Sequence, residues 1–406
     1  MKNIKLMKSL TALAVLSAIS TSAYAANLEN TEVKYGGYVK LDSMWSEYSD
    51  ASSDGSVYDG LGRDFYVPST TPVGDGTNSP DAVFDMHARQ SRFNFATLTK
   101  LDSGKTIKTK IELDFIVSPG GNERVSNSYA PRIRQAFVTY DGWLFGQAWS
   151  NFQNVSALPE TLDFVGPAEG TIFVRQPQIR YTTGGLSFAV ENPQSTVTVN
   201  GARMETDDTS LPDFNVKYTH KTDWGHIAVA GLVRQLTYKA ASYDADQSAY
   251  GISVSGRLNM GKNNVKFMLN QGAGLGRYVG LNIAHGGVLT EDNNIDTIDS
   301  TSGFAAYQHH WSDQFRSTLM YSFIDIDNDK RTSNIQLSGS NVYNIDINGQ
   351  RHLVKGDNFT TTLPTGLSII KISTNLDCQG VIEKEVFISE DIMYYPNPTQ
   401  NDVKVH

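Results

Sequence analysis

The chain has a single cysteine, Cys378, so no internal disulfide can form. No internal apolar run approaches the roughly 18–20 residues that a membrane helix needs, which excludes a helical membrane protein. Mean hydropathy is low at −0.33, but barrel strands are only half apolar and leave little hydropathy signal, so a membrane barrel is not excluded. Basic residues are outnumbered 34 to 43 by acidic ones, which argues against a nucleic-acid-binding surface. Tryptophan is scarce, with 5 residues, while 19 tyrosines and 18 phenylalanines suit a β protein with aromatic girdles. A soluble, secreted β protein would share this composition.

Residues 1–25 read as a secretory signal peptide. Lys2, Lys5 and Lys8 form the positive start, Leu10–Ile19 is an apolar core too short to span, and Ala23-Tyr24-Ala25 fits the small-x-small cleavage rule. Maturation then begins near Ala26, and loss of the three lysines takes the net charge from −9 to −12. An exported chain without pairable cysteines fits a bacterial envelope protein better than a disulfide-stapled one.

The body alternates apolar and polar residues in short segments. Strands are expected at Tyr38–Tyr48, His87–Thr99, Ile107–Phe115, Arg132–Tyr140, Trp143–Trp149, Phe173–Tyr181 and Leu186–Glu191. They continue at Asp213–Thr219, Ile227–Tyr238, Tyr250–Asn259, Asn264–Asn270, Gly303–Trp311 and Phe315–Ile324. The clearest has Ile107, Thr109, Ile111, Leu113 and Phe115 on one face and Lys108, Lys110, Glu112 and Asp114 on the other. Connections alternate long and short: Ser49–Asp85, Val117–Ala130, Ser150–Thr171, Asn192–Ser210, Lys239–Gln247 and Gln271–Thr301 are long. A sandwich has no reason to keep its long loops at one end, whereas an outer-membrane barrel has short periplasmic turns and long external loops. The fold expected is therefore all-β, a transmembrane antiparallel barrel, with Ser150–Thr171 folded into its mouth as a constriction.

Specific stretches add a resemblance. Tyr35-Gly36-Gly37-Tyr38-Val39-Lys40-Leu41-Asp42, Arg89-Gln90-Ser91-Arg92-Phe93-Asn94-Phe95 and Leu144-Phe145-Gly146-Gln147-Ala148-Trp149-Ser150 are the first three. Ala157-Leu158-Pro159-Glu160-Thr161-Leu162-Asp163-Phe164 and Val174-Arg175-Gln176-Pro177-Gln178-Ile179-Arg180-Tyr181 complete the set. Together they resemble the DcaP-like, dicarboxylate-type porins of Gram-negative bacteria, over roughly Tyr35 to Asn334. The resemblance implies a trimeric, 16-stranded barrel in the outer membrane whose third external loop folds inward. It also implies passive uptake of small, preferably anionic solutes.

After Asp325 the resemblance stops, and the last strands of such a barrel are replaced by residues of different texture. The expected division is a signal peptide at 1–25, a porin barrel at 26–334 and an unrelated β-rich tail at 335–406. In the tail, Asn341–Ile347 and Leu367–Ser373 read as strands, and Leu363-Pro364-Thr365-Gly366 as a turn suiting a small β-sandwich. Ile392-Met393-Tyr394-Tyr395-Pro396-Asn397-Pro398-Thr399 resembles the start of a type IX secretion sorting domain. A porin body and a sorting fragment use different export routes, so a chimeric gene product is one reading. A natural fusion whose tail strands close the barrel is the other, and a surface-adhesion protein using the tail is a further function class.

Period two also selects pore-lining candidates. With Phe93 and Phe95 toward lipid, Arg92 and Asn94 face the lumen, as do Lys108 and Lys110. With Ile179 and Tyr181 outward, Gln178 and Arg180 face inward. Arg132 and Arg134 share a face of ambiguous sense, because Phe137 and Val138 pull in opposite directions. Glu160, Asp163 and Glu169 put negative charge on the loop, and a basic wall opposite an acidic loop would orient and select charged solutes. The plainer alternative is that the arginines pair with these carboxylates and pin the loop.

Three other patterns lead nowhere. Gly272-Ala273-Gly274-Leu275-Gly276 has its third glycine one place early for a dinucleotide fingerprint. Asp325-Ile326-Asp327-Asn328-Asp329 has Lys330 where a calcium loop needs glycine and Gln336 where it needs glutamate. His309 and His310 point to opposite faces of a strand. No nucleophile–base pair with an orienting third group presents itself, so the reading is a channel rather than an enzyme, with neither cofactor nor metal.

Overall fold

The computed structural model describes residues 30–48, 64–71, 81–118, 125–199, 202–240, 243–290 and 293–327. Six further strands between 333 and 388 are described for their backbone. The signal-peptide, Cys378 and sorting-domain readings lie outside these residues.

Thirteen strands form one antiparallel sheet in chain order. They are Thr31–Tyr38 (β1), Arg92–Lys100 (β2), Thr106–Asp114 (β3), Arg132–Tyr140 (β4), Trp143–Trp149 (β5), Arg175–Thr183 (β6) and Leu186–Glu191 (β7). Then follow Asp213–Thr222 (β8), Gly225–Ala240 (β9), Tyr243–Met260 (β10), Asn263–Ala273 (β11), Asp299–His310 (β12) and Arg316–Asp327 (β13). Each strand pairs with the next, the all-next-neighbour order of an up-and-down barrel wall. The faces sort as a membrane wall requires. Phe93, Ile133, Ile179, Phe188, Phe214, Val233 and Ile252 are exposed on the outer face, while Glu112, Asp114, Arg134, Gln176, Glu191 and Asp213 are buried on the inner one.

The expected first strand is displaced. Thr31–Tyr38 is the sheet strand, in register with β2 from Thr31↔Thr99 to Tyr38↔Arg92. Asp42–Ser46 instead pairs with Val83–His87 as a separate hairpin. Pairing ends at Tyr38, one residue after Gly37, where φ is +143° and a Cβ would lie 1.9 Å from the carbonyl oxygen of Arg92. Alternation runs in one phase from Val33 and Tyr35 through Val39 and Leu41, so the period alone could not mark this boundary.

Two loops are also more ordered than their polarity implied. Asn192–Ser210 contains a hairpin, Ser195–Val199 with Ala202–Thr206. Ser195–Val199 pairs in parallel with Gly287–Leu289, which pairs with Ile295–Thr297, giving a small four-stranded sheet at the long-loop end. Lys239–Gln247 is largely strand, because β9 and β10 stay paired up to Ala240↔Tyr243. That protruding hairpin is held by burial of its Leu236, Tyr238, Ala245 and Ala249 against Val197, Val199, Leu289 and Ile295 of the small sheet.

In the tail, Val342–Ile347 and Gly366–Thr374 are strands, as expected. They are the inner pair of a four-stranded antiparallel sheet edged by Gln350–Lys355 and Val381–Ile388. Ser333–Gln336 pairs with Asn358–Thr361. Among the described residues these strands pair with one another, and none joins the thirteen-stranded sheet, so they do not extend the barrel wall.

Candidate functional site

The main apolar core lies inside the barrel wall. Inward residues Ala230 and Leu232 of β9, Met268 of β11 and Phe304 of β12 pack against Phe152, Ala157, Ile172 and Val174 of the third long loop and Leu275, Tyr278 and Val279 of the sixth. Water cannot cover so many inward apolar groups at low cost, so the loops fold onto them. The continuous apolar run from Ile227 to Val233 is the sequence trace of this two-sided burial. The fit is tight at Gly170, where a Cβ would lie 2.2 Å from the backbone of Gly303.

Polar contacts carry the third loop along the inner wall from β7 to β13. At its root, Glu191 accepts hydrogen bonds from the Ser150 hydroxyl (2.8 Å) and the Asn151 amide (2.6 Å). Lys217 of β8 donates to the Gln153 carbonyl (2.8 Å), and Asn154 reaches Ser255 of β10 (3.0 Å). Lys266 of β11 donates to the Leu158 carbonyl, and Asn270 donates to that of Gly170 (2.9 Å). At the tip, Arg316 of β13 grips Glu160 through Nε and Nη2, and Gln308 adds a third donor at 2.8 Å. These hydrogen bonds hold the Glu160 carboxyl down at about 2.

The three loop carboxylates therefore do not oppose the arginine wall as a bare acidic face. Asp163 accepts from the backbone amides of Val165, Gly166 and Tyr66. Glu169 accepts from the hydroxyls of Tyr66 and Ser322. Burial, then the neighbouring Glu169, pushes the Tyr66 phenol well up. The acids do pin the loop, but to β12, β13 and the first long loop rather than to Arg92 or Arg180.

Across the lumen stands a charged wall. Asp114, fully buried, is bound by Arg132 Nε (2.9 Å) and Arg134 Nη1 (2.7 Å). Glu112 is bound by Arg134 Nε (2.9 Å) and Lys110 (2.8 Å), with Arg92 at 3.8 Å. The ambiguous sense of Arg132 and Arg134 is resolved by a β-bulge: the register shifts between Glu112 and Leu113 opposite Gln135. The extra residue reverses the phase, so Arg134 turns inward while Ile133 and Val138 both stay on the outer face.

Above the bulge β5 and β6 part from β4. The last β4–β5 pair is Ala136↔Gln147, whereas β5–β6 pairing continues to Trp149↔Arg175. The rings of Trp149 and Phe164 then come within 5.9 and 5.5 Å of the Arg134 guanidinium. Arg175 stacks on Trp149 at 4.7 Å and on Phe173 at 5.6 Å. Among the described residues no carboxylate lies within 4 Å of it.

No curated protein matches the chain at a significant level. The family model of the DcaP outer membrane protein matches residues 5–348. The chain belongs to the DcaP outer membrane protein family. Among solved structures, the outer membrane channel DcaP of Acinetobacter baumannii is similar with a TM-score of 0.60 and 19% identity, covering 88% of this chain and 96% of that one. An anion-selective porin from Comamonas acidovorans (TM-score 0.42, 12% identity, covering 89% of this chain and 96% of that one) is a looser match. So is the trimer form of OmpT from Vibrio cholerae (0.41, 10%, 87% and 87%).

As a DcaP-family porin the chain is an outer-membrane β-barrel channel of a Gram-negative bacterium, and its sequence-selected residues can be placed. Arg92, Asn94, Lys108, Lys110 and Arg180 sit on the inner face of the sheet. Lys108 and Arg180 make no ion pair among the described residues. Gln178 is not a pore-lining residue: it is 5% exposed and its amide donates to the carbonyl of Trp149. It bonds its own wall, at the Ala148 and Trp149 carbonyls of β5, a contact that period two cannot report.

Residues outside the selected set hold the site together. Glu191 also accepts from Gln176, and the Tyr278 hydroxyl donates to Asp213 (2.8 Å), which Arg234 binds at 3.3 Å. This buried network ties β6, β7, β8 and β9 to the third and sixth loops. Its only trace in the sequence is the inward phase of Gln176, Glu191, Asp213 and Arg234.

Proposed function

We propose that the chain is a passive channel for small anionic solutes, dicarboxylate-like in charge, whose path runs between the Arg92–Arg134 wall and the inward-folded third loop. One observation carries the reading: the wall has a surplus of cations. Arg92, Lys110, Arg132 and Arg134 share only Glu112 and Asp114, and Arg175 stands beside them without a carboxylate of its own. Of the loop acids only Glu160 is ion-paired, by Arg316, while Asp163 and Glu169 keep their charge on neutral donors, so the five wall cations still outnumber Glu112, Asp114, Asp163 and Glu169 and the field across the gap is net positive. Two cation–π stacks fix the Arg175 guanidinium, which lowers the entropy cost of binding an anion. Transport is diffusion down a gradient, with no covalent step, and the resemblance implies assembly as a homotrimer in outer-membrane lipid.

The test is conductance in planar bilayers of folded, heat-modifiable protein. Ohmic currents that prefer chloride over potassium support the reading, and a folded, inserted species without such currents would sink it.

A further inference from the structure

We propose that Lys221, His226, Arg257 and Lys266 form an anion-binding row between the tip of the third loop and the short turns, built for a small multivalent oxyanion. The row deepens the anion-channel reading and lies apart from the Arg92–Arg134 wall.

The four residues are direct cross-strand neighbours. Lys221 faces His226, His226 faces Arg257, and Arg257 faces Lys266 in the registers of β8 to β11. Their side chains share the inner face: two residues along on the same face, Ala228, Ser255 and Met268 are buried, and Ser255 and Met268 contact the third loop. Like charges directly opposite in an antiparallel pair, as Arg257 and Lys266 are, disfavour the sheet. Here no carboxylate of the described residues lies within 4 Å of any of the four. Glu160, the loop acid near Lys266, is held by Arg316.

What the loop offers the row is neutral. The Leu158 carbonyl takes Lys266, and the Asn154 amide meets His226 Nε2 at 3.0 Å. Lys217, on the same face of β8, is already engaged with the Gln153 carbonyl. Lys221 and Arg257 have no side-chain partner among the described residues and stand open to the lumen. With strands about 4.8 Å apart, Arg257 and Lys266 stand as cations on neighbouring strands, and Lys221 lies two strands from Arg257 across His226, whose Nε2 accepts from the Asn154 amide. A single-centred monovalent anion satisfies one of them, whereas an anion with two or more charged groups bridges neighbours. A solute that has passed the loop meets this row next.

The test uses inorganic pyrophosphate on the full chain at low ionic strength, where exposed charges are least screened. In bilayers, pyrophosphate added on the short-turn side should block current more strongly than from the long-loop side. Lys221→Gln with Arg257→Gln, which touches no loop anchor, should weaken the block about tenfold or more, while Arg257→Lys retains it. Conducting channels with no sided block, or with block unchanged in the double variant, overturn the row but leave the channel reading intact. If the folded protein does not conduct, the channel reading fails. Phosphorus NMR line broadening of pyrophosphate by detergent-solubilised protein then decides the row alone: broadening lost in the double variant supports it, and none in the native chain overturns it.

Discussion

The inner wall has two sides held by different forces. From β2 to β4 the inward residues are charged and satisfy one another across strands, as Arg132 and Arg134 do with Glu112 and Asp114. From β9 to β13 a band of inward apolar residues, Leu232, Met268 and Phe304 among them, runs between polar ones and cannot face water at low cost. The third loop folds onto the second side and also caps part of the first, where its Phe164 lies against the Arg134 guanidinium. The third loop is thus placed by where the sheet is apolar inside, and charge on the loop only fastens it there.

The largest expected effects come from breaking the apolar side. Phe152→Ala removes a ring that is 1% exposed at the loop root and should cost about 3–5 kcal/mol. Gly170→Ala forces the loop off β12, since its new Cβ would overlap the Gly303 backbone. Both should raise unitary conductance and lower the thermal unfolding temperature, whereas unchanged conductance would mean that the loop does not narrow the path. On the charged side, Arg134→Ala leaves Glu112 and Asp114 short of their most buried partner, at a cost of about 3–5 kcal/mol. Thermal unfolding reads the loss, and selectivity should move toward cations without a rise in conductance.

Smaller effects follow from two titrating groups. Because Arg316 holds the Glu160 carboxyl at about 2, below its ordinary 4.5, its anchoring is fully present above 4.5 and is lost as pH falls through about 2. Current noise from the loop tip should stay flat down to about pH 3, and Glu160→Gln should be noisier at every pH. His285 meets Thr198 at 2.6 Å in the small external sheet, and burial followed by nearby Arg203 lowers it to about 4. Its neutral form is favoured when folded, so this stabilisation is complete above the ordinary 6.5 and is lost as pH falls through about 4. Hydrogen exchange between pH 7 and 4 should therefore accelerate in Ser195–Val199 and Gly287–Leu289 before it does in β8 to β11.

Strand number and the inward third loop were legible because each strand has one lipid face, which forces a clean period of two and a rhythm of long and short connections. The parts that were not legible lack a local signature. A bulge reverses phase without changing composition, so Arg134 could not be oriented from its neighbours. The small external sheet joins Val197 to Gly287 in parallel, a pairing across 90 residues between two polar loops. Gln178 has the right phase for the pore, but it is buried against the neighbouring strand, its amide on the Ala148 and Trp149 carbonyls. Glu160 reads as a bare charge until Arg316 is seen beside it.

Reversal potential across a potassium chloride gradient tests the central claim most directly, comparing the native chain with Arg175→Gln and Arg180→Ala. The native channel should prefer chloride. Arg175→Gln should lose most of that preference, and Arg180→Ala, which has no ion pair among the described residues either, should lose a smaller part. A native channel that prefers potassium, or a preference unchanged by both substitutions, would contradict an anion path along this wall.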